Sequence, residues 1–338
     1  MKKIAINGLG RIGRMVLRHY MNNPVKDIEI VAANDLVPPE NLAYLLHFDS
    51  VHRRTPYPVA AKGDTITMGD FSIKMFAEKD PASLPWREMG VDLVIESTGF
   101  FTQREKAAGH LRAGAKQVLI SAPSQTADLT VVLGVNEAQF DLQKHQVISM
   151  ASCTTNSLAP ALKVLNDAFG IEDAMITTVH AYTATQAVVD RPSKKLRRGR
   201  TAAVSLIPTT TGAAVATTLV LPELKGKMDA IAIRAPIPDG AVTDIVAHLQ
   251  KDVTVDSVNA ALQKAAEGPM NGILGYSEEE LVSADIIDEV HSGIIDALST
   301  RVVGNRLIKV LVWYDNEYGY SKRLLDFIEY IAKRESSE

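Results

Sequence analysis

Short apolar runs alternate with helical segments along the first third of the chain. The pattern predicts a strand at Ile4–Asn7, a helix that follows three glycines and ends near Met21, and a second strand over residues 28–34. Further strands are predicted at 91–96, 117–121, 130–134 and 146–149. The spacing of apolar residues over 104–115 is typical of a helix, and the alternating segments over 57–79 predict hairpins. Strands that alternate with helices predict an α/β fold with a Rossmann-type, doubly wound parallel sheet.

The pattern changes after residue 150. A helix is predicted over 156–169, and long strands are predicted at 174–180, 228–235, 242–249 and 307–314. Long strands with helices gathered between them indicate an α+β region built on an antiparallel sheet. Apolar residues then recur at spacings of three and four from Ser321 to Lys333, which predicts an amphipathic helix. The sequence therefore predicts two domains with a boundary near residue 150.

Length and charge agree with two globular domains and exclude few functions. The chain has 338 residues, a length typical of about two domains. Of these residues, 46% are hydrophobic and 22% are charged. Its net charge of −4 gives no reason to expect nucleic acid or an anionic membrane as a partner. The apolar run near the N-terminus is too short for a signal peptide, and no segment reaches the roughly 18 apolar residues of a membrane helix. We therefore expect a cytoplasmic protein.

The chain contains a single cysteine, Cys153, which excludes an intramolecular disulfide and cysteine-rich metal clusters. The eight histidines are scattered and show no paired spacing typical of metal ligands. We expect no metal site.

The segment from Gly8 to Gly13 has the pattern G-x-G-x-x-G between a predicted strand and a predicted helix. Gly8 suits the tight turn, Gly10 lets a pyrophosphate approach the backbone, and Gly13 lets helix and strand pack closely. Asp35 ends the second strand, where its carboxylate can accept hydrogen bonds from ribose hydroxyls and repel a 2′-phosphate. The pattern predicts a dinucleotide site that favours NAD.

Cys153 stands where a strand gives way to a small polar cluster and then to a helical pattern. A thiol near a helix N-terminus is expected to have a lowered pKa. A lone cysteine is more often a small buried apolar side chain, but the polar neighbours of Cys153 argue against that alternative. His180 follows 27 residues later at a predicted strand end, and spacing alone does not establish that it reaches the thiol.

Residues 191–200 contain six basic residues. They suit a solvated or subunit-facing loop, a nucleic-acid patch or a phosphate site, and the near-neutral charge of the chain argues against nucleic acid. Arg198, with the segment from Thr209 to Gly212 and with Arg234, favours the phosphate site. Several anion-binding clusters around one thiol predict a phosphorylated substrate.

These motifs occur in an order that resembles the phosphorylating glyceraldehyde-3-phosphate dehydrogenase family along nearly the whole chain. The resemblance rests on INGLGRIGR, ANDL, FDSVH, VIESTGFF, ASCTTNSLAP, HAYTATQ, LRRGRTAAVSLIPTTTGAA and WYDNEYGYS. It implies an NAD-binding domain over 1–152, completed by a C-terminal helix over 316–338, and a catalytic domain over 153–315. It also implies a cytoplasmic homotetramer that uses NAD and inorganic phosphate to oxidise D-glyceraldehyde 3-phosphate to 1,3-bisphosphoglycerate.

The resemblance also implies roles for individual residues. Cys153 would be the nucleophile and His180 its base, through a thiohemiacetal and then a thioester. The cofactor would be held by Gly8, Gly10, Arg11, Ile12, Gly13, Asp35, Ser121, Asn316 and Tyr320. The substrate and the attacking phosphate would be held by Ser152, Thr154, Thr183, Arg198, Thr211, Gly212 and Arg234.

The chain departs from the family pattern at a few positions. Met150 replaces an expected asparagine, Ser157 replaces a common second cysteine, and Asp239-Gly240 replaces a smaller or uncharged pair. Arg191 replaces a glycine or leucine in a loop that can approach the adenosine ribose, which leaves some use of NADP open. An erythrose-4-phosphate dehydrogenase and a catalytically weakened binding paralogue remain the alternatives.

Overall fold

The structure, a computed structural model, describes residues 1–336. It divides into two compact units. The first unit comprises Met1–Val131, Ala138–Ala151 and the chain from Ser321, and the second comprises Val132–Glu137 and Ser152–Tyr320. Within residues 1–336, no helix is both long enough and apolar enough to cross a membrane.

The first unit is built on a nine-stranded sheet and a two-stranded ribbon. Its strands are β1 (Lys2–Asn7), β2 (Ile28–Asn34), β3 (Phe48–Asp49), β4 (Arg53–Arg54), β5 (Val59–Lys62), β6 (Thr65–Met68), β7 (Phe71–Phe76), β8 (Leu93–Glu96), β9 (Gln117–Ile120), β10 (Leu129–Thr130) and β11 (Val147–Ser149). The large sheet has the order β10-β11-β9-β8-β1-β2-β7-β6-β5, and β3 pairs with β4. Seven strands from β10 to β7 run parallel, which confirms the predicted Rossmann-type sheet.

The antiparallel edge of this sheet confirms the predicted hairpins. Strands β5, β6 and β7 pair in sequence, with turns at Gly63 and Gly69 where the backbone has positive φ angles. Glycine adopts this conformation without the steric cost of a Cβ.

Helices flank the parallel strands of the first unit. They are α1 (Arg11–Asn22), α2 (Pro39–His47), α3 (Trp86–Met89), α4 (Arg104–Ala107) and α5 (Gly109–Arg112). A core cluster on the sheet contains Ala5, Ala32, Trp86 and Val94, all nearly inaccessible to solvent. Continuous burial of β1, β8 and β9 explains why these strands read as unbroken apolar runs in the sequence.

The second unit is built on a seven-stranded sheet. Its strands are β12 (Ile171–Ala181), β13 (Ile207–Thr210), β14 (Met228–Ala235), β15 (Ala241–Leu249), β16 (Leu274–Ser277), β17 (Gly293–Val303) and β18 (Leu307–Tyr314), in the order β13-β14-β12-β15-β18-β17-β16. Only the β12–β14 and β16–β17 pairs are parallel, so the sheet is mostly antiparallel, as predicted. Its helices are α6 (Cys153–Phe169), α7 (Ala213–Val220) and α8 (Val255–Glu267).

The C-terminal helix α9 (Tyr318–Glu335) begins in the second unit and belongs to the first unit from Ser321 onward. Residues 337 and 338 of the predicted 316–338 segment lie outside the described residues. The apolar stripe of α9, including Leu324, Ile328 and Ile331, is buried. That burial explains the amphipathic spacing in the sequence.

Several predicted elements have different bounds in the structure, as for the strand predicted at 174–180, which extends over Ile171–Ala181. The strand predicted at 130–134 ends at Thr130, because the chain then turns and the Asn136 side chain accepts a hydrogen bond from the Val132 N–H. The helical rhythm over 104–115 is divided into α4 and α5 at Ala108. Helix α6 starts three residues before the predicted residue 156, since Ser152 caps it.

Candidate active site

A cavity of about 530 Å³ lies in the first unit at the carboxyl ends of β1, β2 and β8. Its lining comprises Asn7, Gly8, Gly10, Asn34, Asp35, Leu36, Glu78, Lys79, Ser97, Thr98, Phe100 and Phe101. Ligands of doubly wound sheets bind at this edge, where the strand order reverses. The sequence analysis assigned Gly8, Gly10 and Asp35 to the cofactor. Most of the other lining residues lie in the segments INGLGRIGR, ANDL and VIESTGFF without an assigned role, and Glu78 and Lys79 lie outside these segments.

The turn between β1 and α1 depends on glycine at two positions. Gly8 has a φ of +95°, and a Cβ there would lie 2.8 Å from the backbone nitrogen of Thr98. A Cβ at Gly13 would lie 2.1 Å from the carbonyl oxygen of Gly8. Gly10 is different, because a Cβ there would meet no described atom within 4 Å. The first two glycines shape the turn, and Gly10 leaves open space in front of the helix.

The start of α1 is suited to an anion. Within residues 1–336, no side chain caps its first turn, and Gly10 occupies the N-cap. The first backbone N–H groups of such a helix and its dipole favour a phosphate. Arg11 and Ile12 open the helix and lie at intermediate depth. Arg11 forms an ion pair with Asp49.

Asp35 supports the same turn from the end of β2. Its carboxylate accepts hydrogen bonds from the Leu9 N–H at 2.7 Å and from the Val37 N–H at 3.0 Å. Ser121 directly follows β9, and its backbone N–H donates to the Glu96 carbonyl. Asp35 lines the cavity, while among the described residues Ser121, Arg11, Ile12 and Gly13 lie outside its lining.

The thiol of the second unit lies at the start of α6. Cys153 is the first residue of the helix, and Ser152 caps it by accepting a hydrogen bond from the Thr155 N–H at 3.1 Å. The Sγ atom of Cys153 lies 3.4 Å from Nε2 of His180. The fold therefore joins a cysteine and a histidine that are 27 residues apart.

The position of His180 follows from the sheet. His180 and Arg234 are register partners on the parallel strands β12 and β14. Nδ1 of His180 lies 2.7 Å from the Ala181 carbonyl oxygen and 2.6 Å from Nη1 of Arg234. With its proton on Nδ1, the ring donates to Ala181 and Nε2 can accept a proton. With its proton on Nε2, the ring accepts from Arg234 and donates toward the sulfur.

The environment of this pair corrects one prediction. Burial raises the pKa of Cys153 to about 11, although the side chain stays partly exposed, and the Arg234 charge opposes this rise. Burial and the Arg234 charge lower the pKa of His180 to about 3. Desolvation outweighs the Arg234 charge and the hydrogen bonds of Thr154, so the thiol pKa is raised where the sequence predicted it to be lowered. The resting pair is a neutral thiol beside a neutral imidazole.

Tyr314 supports both members of the pair and was missed by the sequence analysis. Its hydroxyl lies 2.9 Å from Oγ1 of Thr154 and 2.8 Å from Oγ1 of Thr178. Its ring meets the His180 ring edge-on, with the centroids 5.9 Å apart. Tyr314 lies at the end of β18, far from Cys153 and His180 in the sequence. The alternating apolar pattern of this strand predicts burial of the tyrosine but does not predict its contacts.

Two arginines predicted to bind anions, Arg198 and Arg234, belong to the same unit. Nε of Arg198 donates to Oγ1 of Thr209 at 3.0 Å, just before Thr211 and the N-cap residue Gly212 of α7. Burial lowers the pKa of Arg234, and the charge of Arg198 adds to this effect. The two guanidinium groups are therefore close enough to repel, a repulsion that a bound anion would relieve.

Three other predicted residues belong to the same unit. Oγ1 of Thr183 is 2.9 Å from Oγ1 of Thr185 in the loop after β12. Tyr320 is buried in the first turn of α9, and burial raises its pKa. Asn316 is also buried, and its Oδ1 has no hydrogen-bond partner among the described residues. A buried acceptor of this kind suits the amide group of a ligand.

Comparisons with known proteins agree with this arrangement. Residues 2–104 match the family model described as the glyceraldehyde 3-phosphate dehydrogenase NAD binding domain, and residues 152–316 match that described as the C-terminal domain. The chain is 55% identical over 332 residues to glyceraldehyde-3-phosphate dehydrogenase of Geobacillus stearothermophilus, with 98% of both chains covered. It is 54% identical to the protein of that name from Thermotoga maritima, with 98% of this chain and 100% of the relative covered.

Proposed function

The chain belongs to the glyceraldehyde-3-phosphate dehydrogenase family, as an NAD-dependent oxidoreductase of that type, and we propose that it oxidises D-glyceraldehyde 3-phosphate to 1,3-bisphosphoglycerate with inorganic phosphate as co-substrate. The observation that carries the proposal is the 3.4 Å contact between Sγ of Cys153 and Nε2 of His180. A nucleophile within reach of a base is what covalent catalysis on an aldehyde requires.

The residues of the first unit fit NAD. The cavity lined by Gly8, Gly10 and Asp35 joins an uncapped helix start to a carboxylate, which suits a pyrophosphate and a ribose. Of the second unit, Asn316, with its unpaired buried oxygen, is proposed to bind the carboxamide of the nicotinamide, and Tyr320 is proposed to lie near it. When bound, NAD supplies the acceptor for the hydride that leaves the substrate.

Cys153 and His180 act on the aldehyde carbon. His180, with its own proton on Nδ1 and donated to Ala181, accepts the thiol proton at Nε2. The Cys153 sulfur then adds to the aldehyde carbon, and the proton on Nε2 of His180 passes to the alkoxide that forms. The thiohemiacetal then has a hydroxyl, and the imidazole is neutral again and can accept a second proton. As the thiohemiacetal is oxidised, His180 removes the hydroxyl proton and a thioester remains on Cys153.

The cationic groups of the second unit suit two phosphates. Arg234 and Thr183 are proposed to bind the phosphate of the triose. Ser152, Thr154, Arg198, Thr211 and Gly212 are proposed to serve the inorganic phosphate that attacks the thioester. Release of the acyl phosphate returns the thiolate, and the oxidation energy is kept in the product. The mutual repulsion of Arg198 and Arg234 supports this role, because each guanidinium gains a counter-charge.

The test is an assay of NADH formation from glyceraldehyde 3-phosphate with and without inorganic phosphate. We expect multiple turnovers only when phosphate is present, since it is needed to release the acyl group. Erythrose 4-phosphate serves as the competing substrate, and a higher kcat/KM with it would contradict the assignment. Absence of turnover with either substrate, together with a Cys153 inert to iodoacetamide, would identify a catalytically weakened binding protein instead.

We also propose a homotetramer. The loop over 182–206 exposes apolar side chains, including Val188, Leu196 and Val204, each at least 78% accessible. Exposed apolar groups concentrated in one segment are typical of a protein interface. Light scattering on the eluted protein should give about four times the 36.7 kDa chain mass, whereas a monomer would contradict this proposal.

A further inference from the structure

A buried chain of hydrogen bonds lies behind the cavity of the first unit. It runs from Trp86 through His110, Glu96 and Asn7 to Asn34. All five side chains are at most 5% accessible, in a region that otherwise has an apolar core. Polar groups at this depth are costly unless each is paired, so the arrangement calls for a reason.

The direction of the hydrogen bonds follows from groups that only donate. The Trp86 indole N–H donates to Nδ1 of His110 at 3.0 Å, which places the ring proton on Nε2, facing Glu96 at 3.1 Å. At the other end, the Glu78 N–H donates to Oδ1 of Asn34, whose amide nitrogen donates to Oδ1 of Asn7 at 2.7 Å. The Asn7 amide nitrogen therefore faces the Glu96 carboxylate at 2.5 Å.

Glu96 is the acceptor on which these bonds converge. One carboxylate oxygen receives Asn7 and His110, and the other receives the backbone N–H of Thr98 at 2.8 Å and its hydroxyl at 2.5 Å. The carboxylate thus accepts hydrogen bonds from four donors, two at each oxygen.

The groups held by Glu96 belong to the wall of the cavity. Asn7 and Thr98 both line it, and they flank Gly8, whose missing Cβ would lie 2.8 Å from the Thr98 nitrogen. Ser97 adds a hydrogen bond from its hydroxyl to the Gly8 carbonyl at 2.7 Å. A change in the position of Glu96 would therefore move both sides of the glycine turn.

We infer that His110 is a positioning residue for NAD: its Nε2 proton fixes Glu96, which holds Asn7 and Thr98 at the spacing that the cofactor requires. Trp86 contributes by selecting the tautomer of His110. The inference rests on the proposal that NAD occupies this cavity. It assigns a cofactor role to three residues, His110, Glu96 and Trp86, that do not line the cavity and have no chemistry of their own in the reaction.

The experiment compares His110→Leu with His110→Gln. Leucine removes the donor to Glu96 and leaves the Trp86 N–H unpaired, whereas the glutamine amide can donate near the position of Nε2. We expect His110→Leu to raise the Kd for NAD about tenfold or more and His110→Gln to stay within about threefold of the parent. With saturating NAD, kcat and the rate of Cys153 alkylation should change less than about twofold in both, because the thiol site is untouched.

A matched control is His145→Leu, which removes another histidine of the first unit whose Nδ1 accepts from the Asp141 N–H. Its Kd for NAD should equal that of the parent. Should His110→Leu fail to fold, Trp86→Phe removes the indole N–H together with part of the ring volume, keeps an aromatic side chain at this buried position, and should raise the Kd about threefold. An unchanged Kd in the folded His110→Leu or Trp86→Phe protein, or an equal loss in His110→Leu and His110→Gln, would overturn the inference.

A further variant distinguishes a failure of this inference from a failure of the proposal that NAD binds in the cavity. Gly10→Ala places a methyl group in the open space of the cavity and touches none of the network. If Gly10→Ala weakens NAD binding and His110→Leu does not, only the role of His110 fails. If Gly10→Ala also leaves the affinity unchanged, the location of NAD in this cavity fails as well.

Discussion

The cavity of the first unit and the thiol site of the second unit are built in different ways. The cavity takes its shape from a backbone turn of neighbouring residues, which contains Gly8, Gly10 and Gly13. Hydrogen bonds that converge on the Glu96 carboxylate hold the residues around this turn. At the thiol site, side chains from α6, β12 and β14 meet, and two of them are Cys153 and Arg234.

This difference determines which kind of substitution each site tolerates least. A backbone turn responds to the addition of a single methyl group, because neighbouring main-chain atoms cannot move aside. A cluster of side chains responds to the removal of one charge or one proton acceptor, because desolvated groups interact strongly. Substitutions of each kind should therefore affect different steps of the same reaction.

The largest expected effect is at the nucleophile. Cys153→Ser should lower kcat by about a thousandfold or more, because a serine hydroxyl beside a neutral imidazole is a much poorer nucleophile. The Kd for NAD should stay within about twofold of the parent, since Cys153 is not among the residues that line the cavity. Stopped-flow turnover and calorimetry measure the two quantities. Full activity in this variant would remove Cys153 from its proposed role.

The glycine turn gives the next largest effect and allows a matched pair. Gly10→Ala should raise the Kd for NAD about tenfold or more without changing the thermal midpoint, because its Cβ enters the space proposed for the pyrophosphate. Gly13→Ala should lower the midpoint by several degrees, because its Cβ would lie 2.1 Å from the Gly8 carbonyl oxygen. Identical behaviour of the two variants would contradict the separate roles of these glycines.

The preference for NAD over NADP tests the role of the Asp35 carboxylate at the edge of the cavity. Asp35 should repel the 2′-phosphate of NADP, so kcat/KM with NAD should exceed that with NADP by about tenfold or more. Asp35→Asn should reduce this ratio, and Arg191→Leu tests whether the exposed arginine admits NADP. Equal efficiency with both cofactors in the parent protein would defeat the NAD-selective interpretation.

The most gradual effect is the response of stability to acid. His180 has a folded-state pKa of about 3, lowered from its ordinary value by burial and by Arg234. The unfolded chain therefore binds the additional proton first, and stability is lost as the pH falls from about 6.5 toward 3, by about 1 kcal/mol per pH unit. His180→Asn should flatten this dependence of the thermal midpoint. An unchanged slope would show that His180 is not held neutral by its surroundings.

Much of the fold could be predicted from the sequence because its signals are local. Strand β2 at 28–34, β14 at 228–235 and β18 at 307–314 have the predicted bounds, since burial on one or both faces imposes a visible apolar pattern. The glycine pattern likewise reports a turn made by adjacent residues. Strand β17 was missed because polar residues such as Asp296 and Thr300 are buried within it.

Other features depended on contacts between distant residues. Sequence alone indicated a reactive cysteine, a dinucleotide turn and a family, because those signals lie within short segments. Only the tertiary structure brought His180 within 3.4 Å of Cys153, aligned Arg234 beside it and converged four donors on Glu96. It also reversed the expected direction of the thiol pKa. Strand register and desolvation cause these effects, and both depend on residues far apart in the chain.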